Sequence, residues 1–223
     1  NVTVTGAGYD LVDGLTLNSP PNVTSIVVDD DITIPLDEID LIPADTKNVT
    51  CRAIITEYDG ENSLVNATAR FFDNVDSDYN AEDDNNHHYT NNSCFMNYSY
   101  GNSDEVEVIC KFDVWYYANS QNWNCTLNVE DNLSASSKGS DLSFVNTLLA
   151  LGLDSFIEFT EVDNGNVSSE SKINVTNYGN VKINLSLSGY GSEENDKNAM
   201  VCSEGTIKNI SIEYEKFNLT SSN

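Results

Sequence analysis

Residues 49–55, Val-Thr-Cys-Arg-Ala-Ile-Ile, and residues 123–129, Trp-Asn-Cys-Thr-Leu-Asn-Val, decide the fold of this chain. In both stretches an apolar side chain or a cysteine occupies every second position, and the same holds from Val106 to Val114. A period of two is typical of β-strands that bury one face. Because helical periodicity is almost absent elsewhere, we predict an all-β protein.

The length of 223 residues suits two domains of about 100 residues each. We predict an N-terminal strand and linker over residues 1–19, a first domain over 20–147 and a second domain over 148–223. The first domain is expected to close with a strand at 142–147, after polar residues 134–141.

Alternation in the second domain is weaker. It predicts strands over residues 156–162, 172–177, 181–188 and 207–214. A sandwich of about seven strands needs more than these four, so we expect the second domain to be incomplete.

The cysteine pattern resembles that of immunoglobulin-like (Ig-like) β-sandwiches. Cys51 and Cys125 lie 74 positions apart on the apolar sides of two strands, and Trp123 precedes Cys125 by two, where Ig-like domains often carry Tyr. The chain lacks their Trp on the third strand, so Phe71 or Phe72 would have to fill that place. The resemblance implies two tandem Ig-like domains with an N-terminal β-strand extension.

The same resemblance implies a disulfide between Cys51 and Cys125. Cys94 and Cys110 would then close a hairpin. Four cysteines allow three pairings, and this one is preferred rather than fixed. Cys202 is left as a free or an intermolecular thiol.

The charge of the chain excludes several classes of partner. With 36 acidic and 10 basic residues the net charge is -26, which repels nucleic acids and anionic lipid headgroups. No apolar run reaches the roughly 18 residues that a membrane span needs. The sequence starts at Asn1 rather than Met, from which we expect a removed targeting peptide and an extracellular or cell-surface location.

Acceptor tripeptides for N-glycosylation support this location. Chance predicts about 5 or 6 Asn-X-Ser/Thr sites for a chain of this composition, and 13 are present. We expect N-linked glycans, which must face solvent. The acceptors are Asn1, Asn22, Asn48, Asn66, Asn91, Asn97, Asn124, Asn132, Asn166, Asn174, Asn184, Asn209 and Asn218.

Longer stretches resemble Ig-like surface proteins predicted from archaea, particularly small-genome lineages. They are residues 48–51, 88–94, 112–117, 149–155 and 176–181. The resemblance implies an exported glycoprotein and says little about activity.

Catalytic motifs are absent from the sequence, so we expect no enzymatic activity and no required cofactor. The two histidines are adjacent, and no G-x-S-x-G, H-E-x-x-H or Gly-rich phosphate loop occurs.

A calcium site is the stronger chemical candidate, because oxygen ligands crowd one loop. Its ligands would be drawn from Asp73, Asp76, Asp78, Asn80, Glu82, Asp83 and Asp84, and the alternative is a solvated acidic loop. Residues 29–31, three aspartates, are a weaker second candidate.

We expect a structural subunit of an extracellular filament or surface layer that self-assembles. The β-prone segment Val2, Thr3, Val4 and Thr5 would serve as an assembly strand that adds to the open sheet edge of another copy. This segment could equally pair within its own domain.

The alternative function is an adhesion or carbohydrate-binding module that uses Trp115, Tyr116, Tyr117 and Trp123. The fold should leave only one or two of these rings available.

Overall fold

The protein is all-β in a computed structural model that describes residues 18–31, 38–159, 161, 163, 166–186, 188–202, 204, 209–214 and 218. No α-helix occurs among these residues. Within the part of the chain that the structure describes, thirteen strands and two single-turn 3-10 helices, Glu61–Ser63 and Ile212–Tyr214, make up the regular structure. The strands are β1 Asn22–Asp29, β2 Glu38–Ile39, β3 Thr46–Thr56, β4 Leu64–Asp73, β5 His88–Asn91, β6 Phe95–Asn97, β7 Glu105–Trp115, β8 Asn122–Asp131, β9 Ser136–Val145, β10 Leu151–Leu153, β11 Val175–Asn177, β12 Asn198–Val201 and β13 Asn209–Ser211.

The first nine strands form two sheets. A four-stranded antiparallel sheet has the order β1-β3-β7-β6, and a five-stranded sheet has the order β2-β9-β8-β4-β5. Only β2 runs parallel to its neighbour, with Glu38 opposite Phe144. The sheets therefore carry the strands that the alternating stretches predicted, β3, β7 and β8, at their centres.

The core lies between these two sheets, as in a β-sandwich. Every second side chain of β3, β7 and β8 is buried, because successive residues of a strand point to opposite faces. Phe71 of β4 is fully buried, lies 5.6 Å from Phe112 across the sheets and stacks on Trp123 at 4.8 Å between ring centroids. Phe71 thus fills the third-strand core position, whereas Phe72 stacks on His88 on the other face of its sheet.

Two disulfides join the pairs that the resemblance favoured. Cys51 of β3 bonds Cys125 of β8 and so links the two sheets through the core. Cys94 and Cys110, 16 positions apart, link the chain just before β6 to β7. All of the cysteines lie in the described residues, and Cys202 is outside both bonds.

At one side of the sandwich β1 and β9 approach each other without a shared ladder. The Val28 N–H of β1 donates to Asp141 Oδ2 of β9 at 3.0 Å. A Cβ on Gly139 would meet Cγ1 of Val23 at 2.5 Å, so only glycine fits at this point of contact. The bond to Asp141 satisfies part of an otherwise open sheet edge.

The chain divides into two compact units, Asn1–Lys182 and Ile183–Asn223. In the first unit β10 pairs with β11, and Asn180 binds the chain before β10 through the backbone groups of Asn146 and Leu148. The second unit contains the β12–β13 pair and a turn in which four backbone N–H groups donate to Asp196. The sequence predicts a domain boundary after residue 147, which differs from the division after Lys182, and that boundary remains a prediction.

Several predicted strands differ from those observed. β9 begins at Ser136, inside the polar stretch 134–141 expected to precede the last strand, because pairing with β8 rather than apolar content forms it. In the second half, the predicted strand 172–177 is reduced to Val175–Asn177. Of the predicted strand 207–214, the described residues form a strand at Asn209–Ser211 and a 3-10 turn at Ile212–Tyr214. Residues 156–159, 161, 181–186 and 188 are not strands, since they have no hydrogen-bonded neighbour that would make them so.

Candidate functional site

The acidic loop, residues 74–87, joins β4 to β5 and is fixed at its start by Asp73. This carboxylate is fully buried at the end of β4. Its Oδ1 accepts the N–H groups of Val75 and Asp76, and its Oδ2 accepts the amides of Asn119 at 3.1 Å and Gln121 at 3.2 Å. Asp73 therefore has a structural role that its position in the sequence did not predict.

Two of the predicted calcium ligands come together here. Ligand atoms of Asp73, Asp76 and His87 lie within 4.8 Å of one another, whereas Asp78 and Glu82 are outside this group. The two carboxylates suit a hard cation, and the imidazole nitrogen does not. Gln121 Nε2 also donates to Asp76 Oδ2 at 2.9 Å, so a cation would have to displace amide donors that already form hydrogen bonds with these carboxylates. Calcium stays a prediction.

Each histidine of the loop is held by an aspartate. His87 Nδ1 lies 2.7 Å from Asp84 Oδ2, and His88 Nδ1 lies 2.7 Å from Asp83 Oδ1. Burial raises the pKa of Asp84, but hydrogen bonds from the His87 side chain and from two backbone N–H groups outweigh it and hold that pKa below its ordinary value. The ionised form of Asp84 thereby fixes the turn into β5.

Cation–π contacts attach the loop to the outer face of the five-stranded sheet. Tyr79 lies beneath the Arg70 guanidinium at 4.8 Å and the Lys138 ammonium at 3.8 Å. The Tyr79 carbonyl also accepts a hydrogen bond from Arg70 at 2.9 Å. Two of the few basic side chains of this acidic protein thus hold the acidic loop on the sheet.

The second candidate for a cation, Asp29, Asp30 and Asp31, also forms a group within 4.8 Å. Asp30 Oδ2 lies 3.2 Å from Lys47 Nζ and accepts the N–H of Asp40. An ammonium group therefore already supplies a positive charge to this cluster.

Four rings form an aromatic cluster near the end of β7: Trp115, Tyr116, Tyr117 and Tyr178. Trp115 and Tyr117 stack with their centroids 5.9 Å apart and are 38% and 37% exposed. Trp123, the fourth aromatic expected from the sequence, is fully buried instead, and its Nε1 donates to the Asn119 carbonyl at 2.8 Å. Two stacked rings are thus available to a ligand.

The glycosylation acceptors face solvent to different degrees. Asn1 lies outside the described residues, as does the predicted assembly strand Val2–Thr5. Of the other acceptors none is buried, three are half-buried and nine are exposed. The half-buried ones are Asn91, Asn97 and Asn124. These exposures suit the predicted glycans without testing whether they are attached.

The distal segment, residues 149–214, leaves its apolar side chains in solvent. Phe156 is 72% exposed and Val167 is 91% exposed, and no described apolar side chain of the segment is buried. The sandwich, by contrast, has fully buried valines and isoleucines on its strands, among them Val49, Ile55 and Val108. Further large exposed side chains of the segment are Leu149, Leu151, Leu153, Phe159, Leu185, Tyr190, Met200 and Tyr214. Cys202, half-buried, lies in the same segment.

Comparison with known proteins gives no family for the chain: no family model, no curated protein and no solved structure matches it. Within the described residues no helix is long and apolar enough to cross a membrane.

The sequence did not reveal the partners from distant strands. Asn119 and Gln121 lie more than 40 positions from Asp73 and carry no motif, and Tyr178 reaches Tyr116 from a different part of the chain. Only the tertiary fold brings these groups together, so their spacing along the sequence does not predict the contacts.

Proposed function

We propose that the protein is a non-enzymatic structural subunit of an extracellular filament or cell-surface layer. The observation that carries the proposal is the exposure of the distal segment. Many large apolar side chains left in solvent are typical of a protein that another protein covers. A structural subunit that binds further copies of itself would bury these side chains in the assembly.

An Ig-like fold for the first domain is part of the proposal. The sheet orders β1-β3-β7-β6 and β2-β9-β8-β4-β5 correspond to the A-B-E-D and G-F-C arrangement of Ig-like sandwiches, with the additional strands β2 and β5 at the edges. Cys51 and Cys125 then fall on strands B and F. The Trp123 hydrogen bond to a carbonyl four residues upstream is similar to the tyrosine corner of such domains.

The distal segment would be the second Ig-like domain of a tandem pair. Its two-stranded sheets bury no apolar side chain, and a pair of strands is at best marginally stable alone. A strand from another copy would add backbone hydrogen bonds and cover one apolar face. The resemblance to archaeal surface glycoproteins remains a separate prediction.

Compartment and modification complete the proposal. Two disulfides suit an oxidising environment, and the exposed acceptors suit a glycoprotein. In an extracellular location, repulsion between subunits that each carry a net charge of -26 would also keep unassembled subunits soluble.

Strand donation is tested by two variants of the N-terminal segment with equal charge. If this segment pairs as the proposed strand, Val2 and Val4 would share one face and Thr3 and Thr5 the other. We expect Val4→Asp to abolish polymers in sedimentation velocity, and Thr5→Asp, which has the same charge and also keeps the Asn1 acceptor tripeptide, to retain them. If both variants assemble like the unmodified chain, strand donation is wrong. If the unmodified chain stays a monomer at every concentration, the structural role itself is wrong.

A second function is favoured by the exposed stack of Trp115 on Tyr117. Flat rings of this kind offer an apolar face and polar edges to a sugar or a protein partner. We expect Trp115→Ala to abolish any signal on a glycan array, and Tyr58→Ala, which removes a 66% exposed ring outside the cluster, to leave it unchanged. Absence of any signal from the unmodified glycoprotein would exclude this function.

A further inference from the structure

A cavity of about 410 Å³ opens on the outer face of the four-stranded sheet, beside a glycosylation acceptor. Its lining is Asn91, Ser93, Phe95, Ile109 and Lys111. Asn91 and Ser93 are the first and third residues of one acceptor tripeptide. The acceptor nitrogen and an apolar surface therefore share one concave site.

The Cys94–Cys110 disulfide ties together the two chain segments that line this cavity. Its two cysteines turn inward, so the residues on either side of each cysteine turn outward. Ser93 and Phe95 flank Cys94, and Ile109 and Lys111 flank Cys110. Phe95 lies opposite Ile109 in the β6–β7 ladder. The four side chains are thereby held on a covalently fixed platform.

The Asn91 side chain is oriented by two hydrogen bonds. Its Nδ2 donates to the Lys111 carbonyl at 2.9 Å, and its Oδ1 accepts the Ser93 N–H at 2.9 Å. A glycosylated amide keeps one N–H, so the bond to Lys111 can persist after modification. The side chain needs no change of position to carry a sugar at the cavity.

The apolar ring of Phe95 in this cavity is left in solvent. This ring is 63% exposed on an edge strand of only three residues, beside Ile109, which is half-buried. An apolar surface of this kind is stabilised by a group that covers it with carbon and keeps hydroxyls toward water. The carbon-bearing face of a pyranose ring has this character.

We propose that Asn91 carries an N-glycan whose first sugar packs on Phe95, Ile109 and the aliphatic part of Lys111. Attachment forms a bond between Asn91 Nδ2 and C1 of a sugar supplied as a glycosyl phosphate. The C1–O bond of that donor breaks, the phosphate leaves with the bonding electrons, and Nδ2 gives up one proton. This inference rests on the proposed glycoprotein and assigns one acceptor a stabilising role within the subunit.

The test is a double-mutant cycle on the full-length chain, secreted from a host that N-glycosylates. Ser93→Ala removes the acceptor signal and leaves Asn91 in place, and Phe95→Ala removes the ring under the sugar. Peptide mass spectrometry should find Asn91 modified. We expect Ser93→Ala to lower the Tm by about 2–4 °C when Phe95 is present and by clearly less when it is not.

Two controls isolate the sugar. Thr68→Ala removes the acceptor signal of Asn66, which does not line the cavity, and its effect should be the same with and without Phe95. In protein from a host that does not N-glycosylate, Ser93→Ala should leave the Tm unchanged. An endoglycosidase that trims the glycan to its first sugar should retain the stabilisation.

Two results overturn the inference. One is an unmodified Asn91 in protein whose exposed acceptors carry glycans. The other is a modified Asn91 whose loss changes the Tm equally with and without Phe95. Neither result bears on assembly, which sedimentation measures separately, so failure here is distinct from failure of the structural role. A chain with no glycan at any acceptor would contradict the glycoprotein itself.

Discussion

Removal of the two disulfides in turn should destabilise the sandwich to different degrees. A disulfide stabilises by restricting the unfolded chain, and the restriction grows with the length of the loop that it closes. Cys51 and Cys125 are 74 positions apart, and Cys94 and Cys110 are 16 apart. The chain-entropy relation gives about 4.5 kcal/mol for the longer loop and about 3 kcal/mol for the shorter one.

The variants are Cys51→Ala/Cys125→Ala and Cys94→Ala/Cys110→Ala. All four sulfur atoms are buried or nearly so, and their loss adds a packing term to both variants. Urea unfolding followed by the fluorescence of the buried Trp123 gives the free energy of unfolding for each.

Cys202→Ala serves as the matched control. It removes a half-buried sulfur that closes no loop, and we expect a change within about 0.5 kcal/mol. The loop-closure reasoning is refuted if the variant without Cys94 and Cys110 loses as much stability as the variant without Cys51 and Cys125, or more.

Three further predictions concern single residues, each measured by thermal or urea unfolding. Burial raises the pKa of Glu57 against the lowering effect of the hydrogen bond from the Asp59 N–H. The free energy of unfolding should therefore fall as pH rises above 4.5, the ordinary pKa of the group, because the buried carboxylate then ionises. Glu57→Gln should remove this fall in stability and be more stable at neutral pH. Hydrogen bonds outweigh burial and lower the pKa of Asp84, so its stabilisation is present above pH 3.8 and lost as pH falls through the lowered pKa; Asp84→Asn should lose stability at neutral pH only, and an equal loss in strong acid would contradict this. Gly139→Ala, whose Cβ meets Val23, should cost about 1–3 kcal/mol, and a neutral effect would show that β1 and β9 separate easily.

The sequence predicted most of the sandwich because its information is local. Alternation placed Cys51, Cys125 and Trp123 on buried faces, and the Ig-like resemblance named Phe71 as one of two candidates for the core. The strands β3, β4, β7 and β8 form where that alternation is strongest. Each strand buries one face, so a period of two is a direct physical consequence of the fold.

What the sequence could not predict depends on contacts between distant residues. β9 has a polar first half that only its ladder with β8 makes a strand. Asp73 is a predicted calcium ligand, and the sequence held no signal for its hydrogen bonds to the distant Asn119 and Gln121, which give it a structural role as well. The apolar residues of 156–162 predicted a strand, but their described positions have no neighbour to pair with.

The central claim is that the distal segment becomes covered when copies assemble. Electron microscopy of the glycosylated full-length protein, in its native surroundings and after concentration, tests it most directly. The account predicts regular filaments or an ordered layer in which residues 149–214 contact a neighbouring copy. Dispersed single particles at every concentration, with the distal segment still exposed, would contradict it.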